Sequence, residues 1–205
     1  MNAAAPRTSV LAIYVCAFLI GCVLMGFEML GSRYLNPYFG GGIGTWASLI
    51  STVLCALAIG YFAGSAIVDR KPSARTMGVM VLIAAAYLAL VPATADQIMS
   101  GILETVGDGP SATLLASTVL LLIPLTLLGT FSPIAVSLLA HAANEAGRVA
   151  GLVYGVSTIG NVVGTLFTTF TLMPAIGSRA ITYLFAVVLA ACAGILFIPF
   201  NKKTS

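Results

Sequence analysis

Short segments that hold almost all of the charged residues divide the chain into long, uninterrupted apolar runs. A helix needs about 20 apolar residues to cross the hydrocarbon core of a bilayer, and each run is too long and too continuous for a strand. None shows the alternation of polar and apolar residues that a membrane β-barrel requires. The runs therefore predict an all-α, polytopic membrane helical bundle with six transmembrane helices, at residues 10–32, 43–68, 76–91, 112–140, 150–173 and 180–200.

The composition excludes a soluble or disordered protein. Of the 205 residues, 60% are hydrophobic and 7% are charged, whereas a soluble domain has about 25% charged residues. No segment between the runs has room for a soluble catalytic domain. We therefore expect residues 1–205 to form one membrane domain, with the first run kept as an uncleaved span because it lacks an Ala-x-Ala site.

Lysine and arginine lie mainly on one side of the predicted topology. Counted along alternate linkers, seven fall on that side: Arg7, Arg70, Lys71, Arg75, Arg148, Lys202 and Lys203. The opposite side has only Arg33 and Arg179, and its longest linker is acidic. The positive-inside rule then places both termini in the cytoplasm, in a bacterial-type inner (plasma) membrane. The net charge of +3 reflects this asymmetry, and we expect no nucleic-acid partner.

Within that acidic linker, apolar residues recur at helical spacing on one side of residues 95–106. The pattern predicts a short amphipathic helix on the outer surface.

Small residues repeat every four positions in two of the predicted spans. The second span has Ala56, Gly60 and Gly64, and the fifth has the pairs Gly151/Gly155 and Gly160/Gly164. In lipid, such repeats allow helices to approach closely. We therefore expect these two spans to form the tightly packed centre of the bundle, in contact either within one chain or between two copies.

The sequence offers no pattern for a metal, a cofactor or an enzyme. All four cysteines fall inside predicted spans without Cys-x-x-Cys or Cys/His spacing, so small buried apolar side chains are expected. There is no His-Glu-x-x-His motif and no pair of acids within the spans. We expect no catalytic residues, no metal site and no cofactor.

Glu28 is the one acid within a predicted span. A charged group at the bilayer centre costs roughly 2.5 to 3.5 kcal/mol. Two explanations remain open. Glu28 forms a structural hydrogen bond or ion pair, with Arg33 or Arg179 as partner, or it belongs to a site that binds a cation or relays a proton.

A polar stripe follows one face of the fifth span. Tyr154, Thr158, Asn161 and Thr165 recur at helical spacing. Such a stripe lines a cavity or forms hydrogen bonds with a neighbouring helix, and the sequence leaves both alternatives open.

The stretch from Gly60 to Asp69-Arg70, with Lys71 and Arg75 after it, resembles the cytoplasmic turn after the second helix of major facilitator transporters. The resemblance implies that Gly64, Asp69 and Arg70 form a latch between helix ends on the inner face. Pro72 stands where that family often has a glycine.

A wider resemblance covers most of the chain. Residues 27–33, 151–165 and 174–179, in this order, resemble the membrane half of fused spermidine synthase-like proteins. That half is major-facilitator-like, and in the fused proteins an aminopropyltransferase-type domain follows it. No Gly-x-Gly-x-x-Gly nucleotide loop occurs here, so we expect a stand-alone membrane module.

Two functions fit these patterns. The resemblance implies a carrier or binding module for a small cationic or zwitterionic metabolite such as a polyamine, built from two inverted three-helix repeats. Its candidate substrate-binding residues are Glu28, Arg33, Tyr154, Asn161 and Arg179. It would act alone, as a homodimer or with a separately encoded transferase. The alternative is a structural, accessory subunit of a larger membrane complex.

Overall fold

The computed structural model describes residues 7–69, 73–140 and 145–198, with side chains from Val10 onward, and this part of the chain is helical without any strand. The helices are α1 (Arg7–Phe39), α2 (Ile43–Val68), α3 (Ala74–Val106), α4 (Pro110–Gly129), α5 (Phe131–Leu139), α6 (Ala146–Phe167) and α7 (Met173–Phe197). A short π-helical segment, Thr168–Leu172, joins α6 to α7.

Within the described ranges, five helical segments are long and apolar enough to cross a membrane, and the predicted all-α class is confirmed. They are Val10–Phe39, Ile43–Val68, Ala74–Val106, Pro110–Leu139 and Ala146–Phe197. The number differs from the six spans predicted, because the last two predicted runs lie in one helical segment of 52 residues. Its backbone leaves helical geometry at Gly177, where φ is 73°.

Both parts of this last segment pack along α1, in opposite directions. Gly160, Gly164 and Thr168 of the segment lie against Phe18, Cys22 and Gly26 of α1, so the numbering rises together. On α7, Thr182 bonds to Tyr34 and Cys192 contacts Cys16, so the numbering runs in opposite senses. The chain therefore reverses between Thr168 and Thr182, around the break at Gly177.

The other helices form a second packed group around α4. Gly60 and Gly64 of α2 lie against Thr126, Gly129 and Thr130, at the junction of α4 and α5. A Cβ at Gly64 would lie 2.5 Å from Pro133 Cγ, so only glycine permits this approach. Helix α3 packs between the two groups, against α4 and α7.

The expectation that the second and fifth spans form the centre of the bundle is wrong. On α6 the buried residues are Val153, Gly160 and Gly164, and many large side chains of α2 and α6 are exposed. The central helices are α1 and α4, which contact each other. Small-residue repeats indicate one closely packed face, and a peripheral helix needs only one such face.

The two glycine pairs of α6 also differ. A Cβ at Gly160 or Gly164 would overlap the carbonyl oxygen of Phe18 or Cys22, whereas one at Gly151 or Gly155 would meet nothing within 4 Å. Among the described residues, only the Gly160/Gly164 pair, in the C-terminal half of α6, therefore mediates close packing.

Two further expectations differ from the structure. Residues 95–106 are not a separate surface helix, because α3 continues through Pro92 to Val106 as a helix of 33 residues. Their predicted amphipathic pattern is present in part: Met99 and Ile102 are buried and Glu104 is exposed, but Val106, which was predicted on the apolar side, is also exposed. Among the cysteines, Cys16 and Cys192 are buried as expected, but Cys55 is exposed on α2.

Candidate functional site

Glu28 lies in the interior of the bundle. Its exposed fraction is 7%, and its neighbours Phe27 and Leu30 on α1 are fully buried. Among the described residues it makes no hydrogen bond and no ion pair. The carboxyl group of a buried residue therefore has no hydrogen-bond or ion-pair partner among the described residues.

The two arginines expected near Glu28 lie elsewhere. Arg179 forms an ion pair with Asp96, which links the start of α7 to α3, and both side chains are more than half exposed. Arg33 is exposed on α1 and has no ion pair with a described acid. The ion-pair explanation of Glu28 is therefore wrong for the described residues, because the side chain faces the interior while both arginines are at the surface.

Thr52 of α2 lies at the depth of Glu28. Helices α1 and α2 run antiparallel, and Gly31 of α1 lies against Leu49 of α2: a Cβ added at Gly31 would be 2.9 Å from Leu49 Cδ2. Glu28 on α1 and Thr52 on α2 each lie three residues further into the bundle, which is about 4.5 Å along the helix axis. The side chain of Thr52 is buried, and its hydroxyl is without a hydrogen-bond partner. Sequence analysis gave Thr52 no role, because a threonine within an apolar run is an ordinary residue.

The polar stripe of α6 does not gather around Glu28. Asn161 lies against Gly21, seven residues and about 10 Å from Glu28 along α1. Its Oδ1 atom is buried without a partner, while Thr165 donates a hydrogen bond to its backbone carbonyl, at 2.9 Å. The stripe therefore meets α1 over part of its length, and it does not form a common site with Glu28.

Tyr154 lies at the other end of the stripe and reaches toward α2. Its ring packs edge to face on Tyr61, with ring centroids 6.0 Å apart. Among the described residues no Cα atom of α2 comes within 8 Å of one in α6. The two tyrosines therefore bridge a space between helices whose backbones do not touch. Tyr61 was missed, because residues 93 positions apart share no local pattern.

The expected latch is described only in part. Gly64 is buried against α5, and the exposed Asp69 follows the last turn of α2, with its backbone N–H bonded to the Ser65 carbonyl. Arg70 lies outside the described residues. The latch therefore stays a prediction.

At Glu28 the described residues supply one carboxyl group, with one unpartnered hydroxyl at the same depth. No group of three metal-ligating side chains occurs in the described ranges. Such a site suits a proton, a monovalent cation or an ammonium group, because one carboxylate balances one positive charge. Comparison with known proteins assigns no family, since no family model, curated protein or solved structure matches the chain.

Proposed function

We propose that the chain is a multi-pass protein of a bacterial-type inner membrane, with six crossings and both termini in the cytoplasm. The segment Ala146–Phe197 has 52 residues, about 78 Å of helix, against about 30 Å of hydrocarbon. The opposite directions of α6 and α7 along α1 support two crossings for this segment.

Two inverted three-helix repeats are consistent with the packing. If α1, α2 and α3 are exchanged with α4–α5, α6 and α7, the contact of α1 with α6 becomes that of α4 with α2, which is also present. The contact of α3 with α4 becomes that of α7 with α1, again present. In both contacts of the first exchange a glycine pair approaches a central helix: Gly160/Gly164 on α1 and Gly60/Gly64 on α4–α5. Transporters of this plan bind substrate near the repeat interface.

We propose that the module binds or transports a small cationic or zwitterionic metabolite, a polyamine being the leading candidate, and that Glu28 is its charge-recognising group. The observation that carries this function is the burial of Glu28 between the helices without a counter-charge among the described residues. A buried charge without a partner is costly and is retained mainly at functional sites. A cationic substrate, or a proton in its absence, would supply that partner.

Uptake of labelled spermidine into proteoliposomes tests this function. We expect Glu28→Gln to abolish uptake, because the amide keeps the shape of the side chain and removes its charge. Glu104→Gln is the matched control, since Glu104 is exposed on α3, and it should transport like the wild type. Equal uptake by wild type and Glu28→Gln would remove Glu28 from the mechanism.

The exposed faces of α2 and α6 favour a second candidate function, that of an accessory subunit. Phe62 is 76% exposed, and Ile159 on α6 is 60% exposed. Lipid covers such apolar faces in a carrier. In an accessory subunit they would be covered by a second copy, a larger membrane complex or a separately encoded transferase. Purification in a mild detergent distinguishes the two functions, because a subunit should retain a stoichiometric partner and a carrier should not require one.

A further inference from the structure

A pocket of about 160 Å³ lies between α3 and α4, within the membrane-spanning part of both helices. Its lining includes Tyr87, Leu90, Ala95 and Ile98 of α3, together with Val119 and Leu120 of α4. Ala95 is 3% exposed, and its short side chain leaves space where a larger residue would fill the gap between the helices. This pocket plays no part in the function proposed for Glu28.

The polar side chains of the pocket wall are already satisfied. The Tyr87 hydroxyl donates a hydrogen bond to the Val119 carbonyl across the two helices. The Thr94 hydroxyl donates to the Leu90 carbonyl at 3.0 Å. A buried water molecule needs two to four polar partners, and these two hydroxyl oxygens could only accept a hydrogen bond from it. The pocket wall therefore offers water too few polar partners, and we expect the pocket to be dry.

A dry pocket of this size fits hydrocarbon. An engineered apolar cavity of about 150 Å³ stays free of water and binds benzene or xenon. An empty space deprives its wall of dispersion contacts, so filling it with apolar atoms is favourable. Methylene groups supply those contacts without needing a hydrogen bond.

The pocket is continuous with the apolar outer surface of α3. Leu90 belongs to its wall and is nevertheless 62% exposed, and Ile83, two turns earlier on the same helix, is 48% exposed. In a bilayer this surface faces acyl chains. We propose that the pocket binds a segment of one phospholipid acyl chain, which enters beside Leu90 and fills the space over Ala95.

Photolabelling of the full chain in vesicles tests the proposal directly. The probe is a phosphatidylcholine with a diazirine within one acyl chain, and peptide mass spectrometry locates its adducts. In the wild type we expect adducts concentrated on residues 87–99 and 119–120, above the level at other exposed apolar residues such as Phe62 and Ile159. Labelling spread evenly over the exposed residues would show a bulk lipid annulus and would overturn the proposal.

Pocket-filling variants supply the second part of the test. Ala95→Leu extends into the pocket, and Thr94→Leu does so at its rim, where a larger side chain is easier to accept. Both should lose the concentrated adducts. Ala93→Leu is the matched control, because Ala93 is exposed on the same helix and outside the pocket wall, and it should keep them. Adducts that persist in a folded Thr94→Leu chain would also overturn the proposal.

Discussion

Individual glycines decide how closely the helices approach. At Gly164 a Cβ would overlap the Cys22 carbonyl oxygen, and at Gly151 it would meet nothing within 4 Å. The spacing of the two pairs is identical, so the sequence could not separate them. The difference lies in the position of α1, which only the folded bundle defines.

We predict that Gly164→Ala destabilises the protein by about 1–3 kcal/mol, because the added methyl group must push α6 away from α1. Thermal unfolding in detergent, followed by circular dichroism, measures the change as a lower Tm. Gly151→Ala is the control, and it should leave Tm unchanged or raise it, since alanine favours helix more than glycine. The same loss in both variants would contradict the packing described here.

Two polar contacts near the Gly177 break should differ strongly in their contributions. The Asp96–Arg179 ion pair is exposed, so we predict that Asp96→Asn costs less than about 1 kcal/mol. The hydrogen bond between the Tyr34 and Thr182 hydroxyls is buried, at 2.9 Å. Thr182→Val should cost about 1–3 kcal/mol, because it leaves the Tyr34 hydroxyl buried without a partner. The same unfolding experiment compares them, and a larger loss for Asp96→Asn would reverse this ranking.

Among the helices, the sequence was most informative where an apolar run became one helix. The second predicted span, 43–68, matches α2. The first, 10–32, lies within α1, and the fourth, 112–140, corresponds to the segment Pro110–Leu139. The predicted interruption at residues 92–94 was wrong, because Pro92 lies inside α3, which continues to Val106. The π-helical segment after α6 was not predicted. Its backbone hydrogen bonds span one more residue than those of an α-helix, and no residue type signals this change in the way that a proline signals a helix break.

The site was less predictable than the fold. The isolation of Glu28 within an apolar run identified it as a candidate. The structure buries its side chain, and its role in binding stays a prediction. Arg33 and Arg179 were expected as its partners because the predicted topology places them at the same membrane face. Arg179 instead contacts Asp96, because α7 packs beside α3 in an orientation that no local pattern specifies.

The reversal between α6 and α7 depends on Gly177. Its φ of 73° and ψ of 161° lie in a region that is essentially restricted to glycine, and this conformation costs other residues about 1–3 kcal/mol. We predict that Gly177→Ala lowers the unfolding free energy by about that amount. Gly194→Ala is the matched control, because Gly194 is helical and a Cβ there meets nothing within 4 Å. An unchanged Tm in Gly177→Ala would show that the reversal does not require this backbone conformation.

At the scale of the whole molecule, the membrane topology has the widest consequences. The proposed six crossings place the loop at 107–109 and the Gly177 break outside, and both termini inside. The arrangement is supported by the distribution of lysine and arginine. Arg75 and Arg148 lie within the described residues and are exposed, and others of these cations lie outside them.

We predict that a cysteine at Asp108, in a chain without its four native cysteines, reacts with a membrane-impermeant maleimide added to intact cells. Asp108 is exposed between α3 and α4. A cysteine at Arg148, also exposed, should react only after the cells are opened. Labelling of both sites from outside, or of Arg148 alone, would overturn the proposed orientation.

The packing of α1 has a consequence for biosynthesis. Among the described helices, α1 is synthesised before the others, yet its glycine face and its Cys16–Tyr34 face are covered by α6 and α7, which follow α2 to α5 along the chain. During membrane insertion these two faces of α1 therefore have no native partner until α6 and α7 have been made. A nascent chain arrested before residue 146 would leave both faces exposed to lipid.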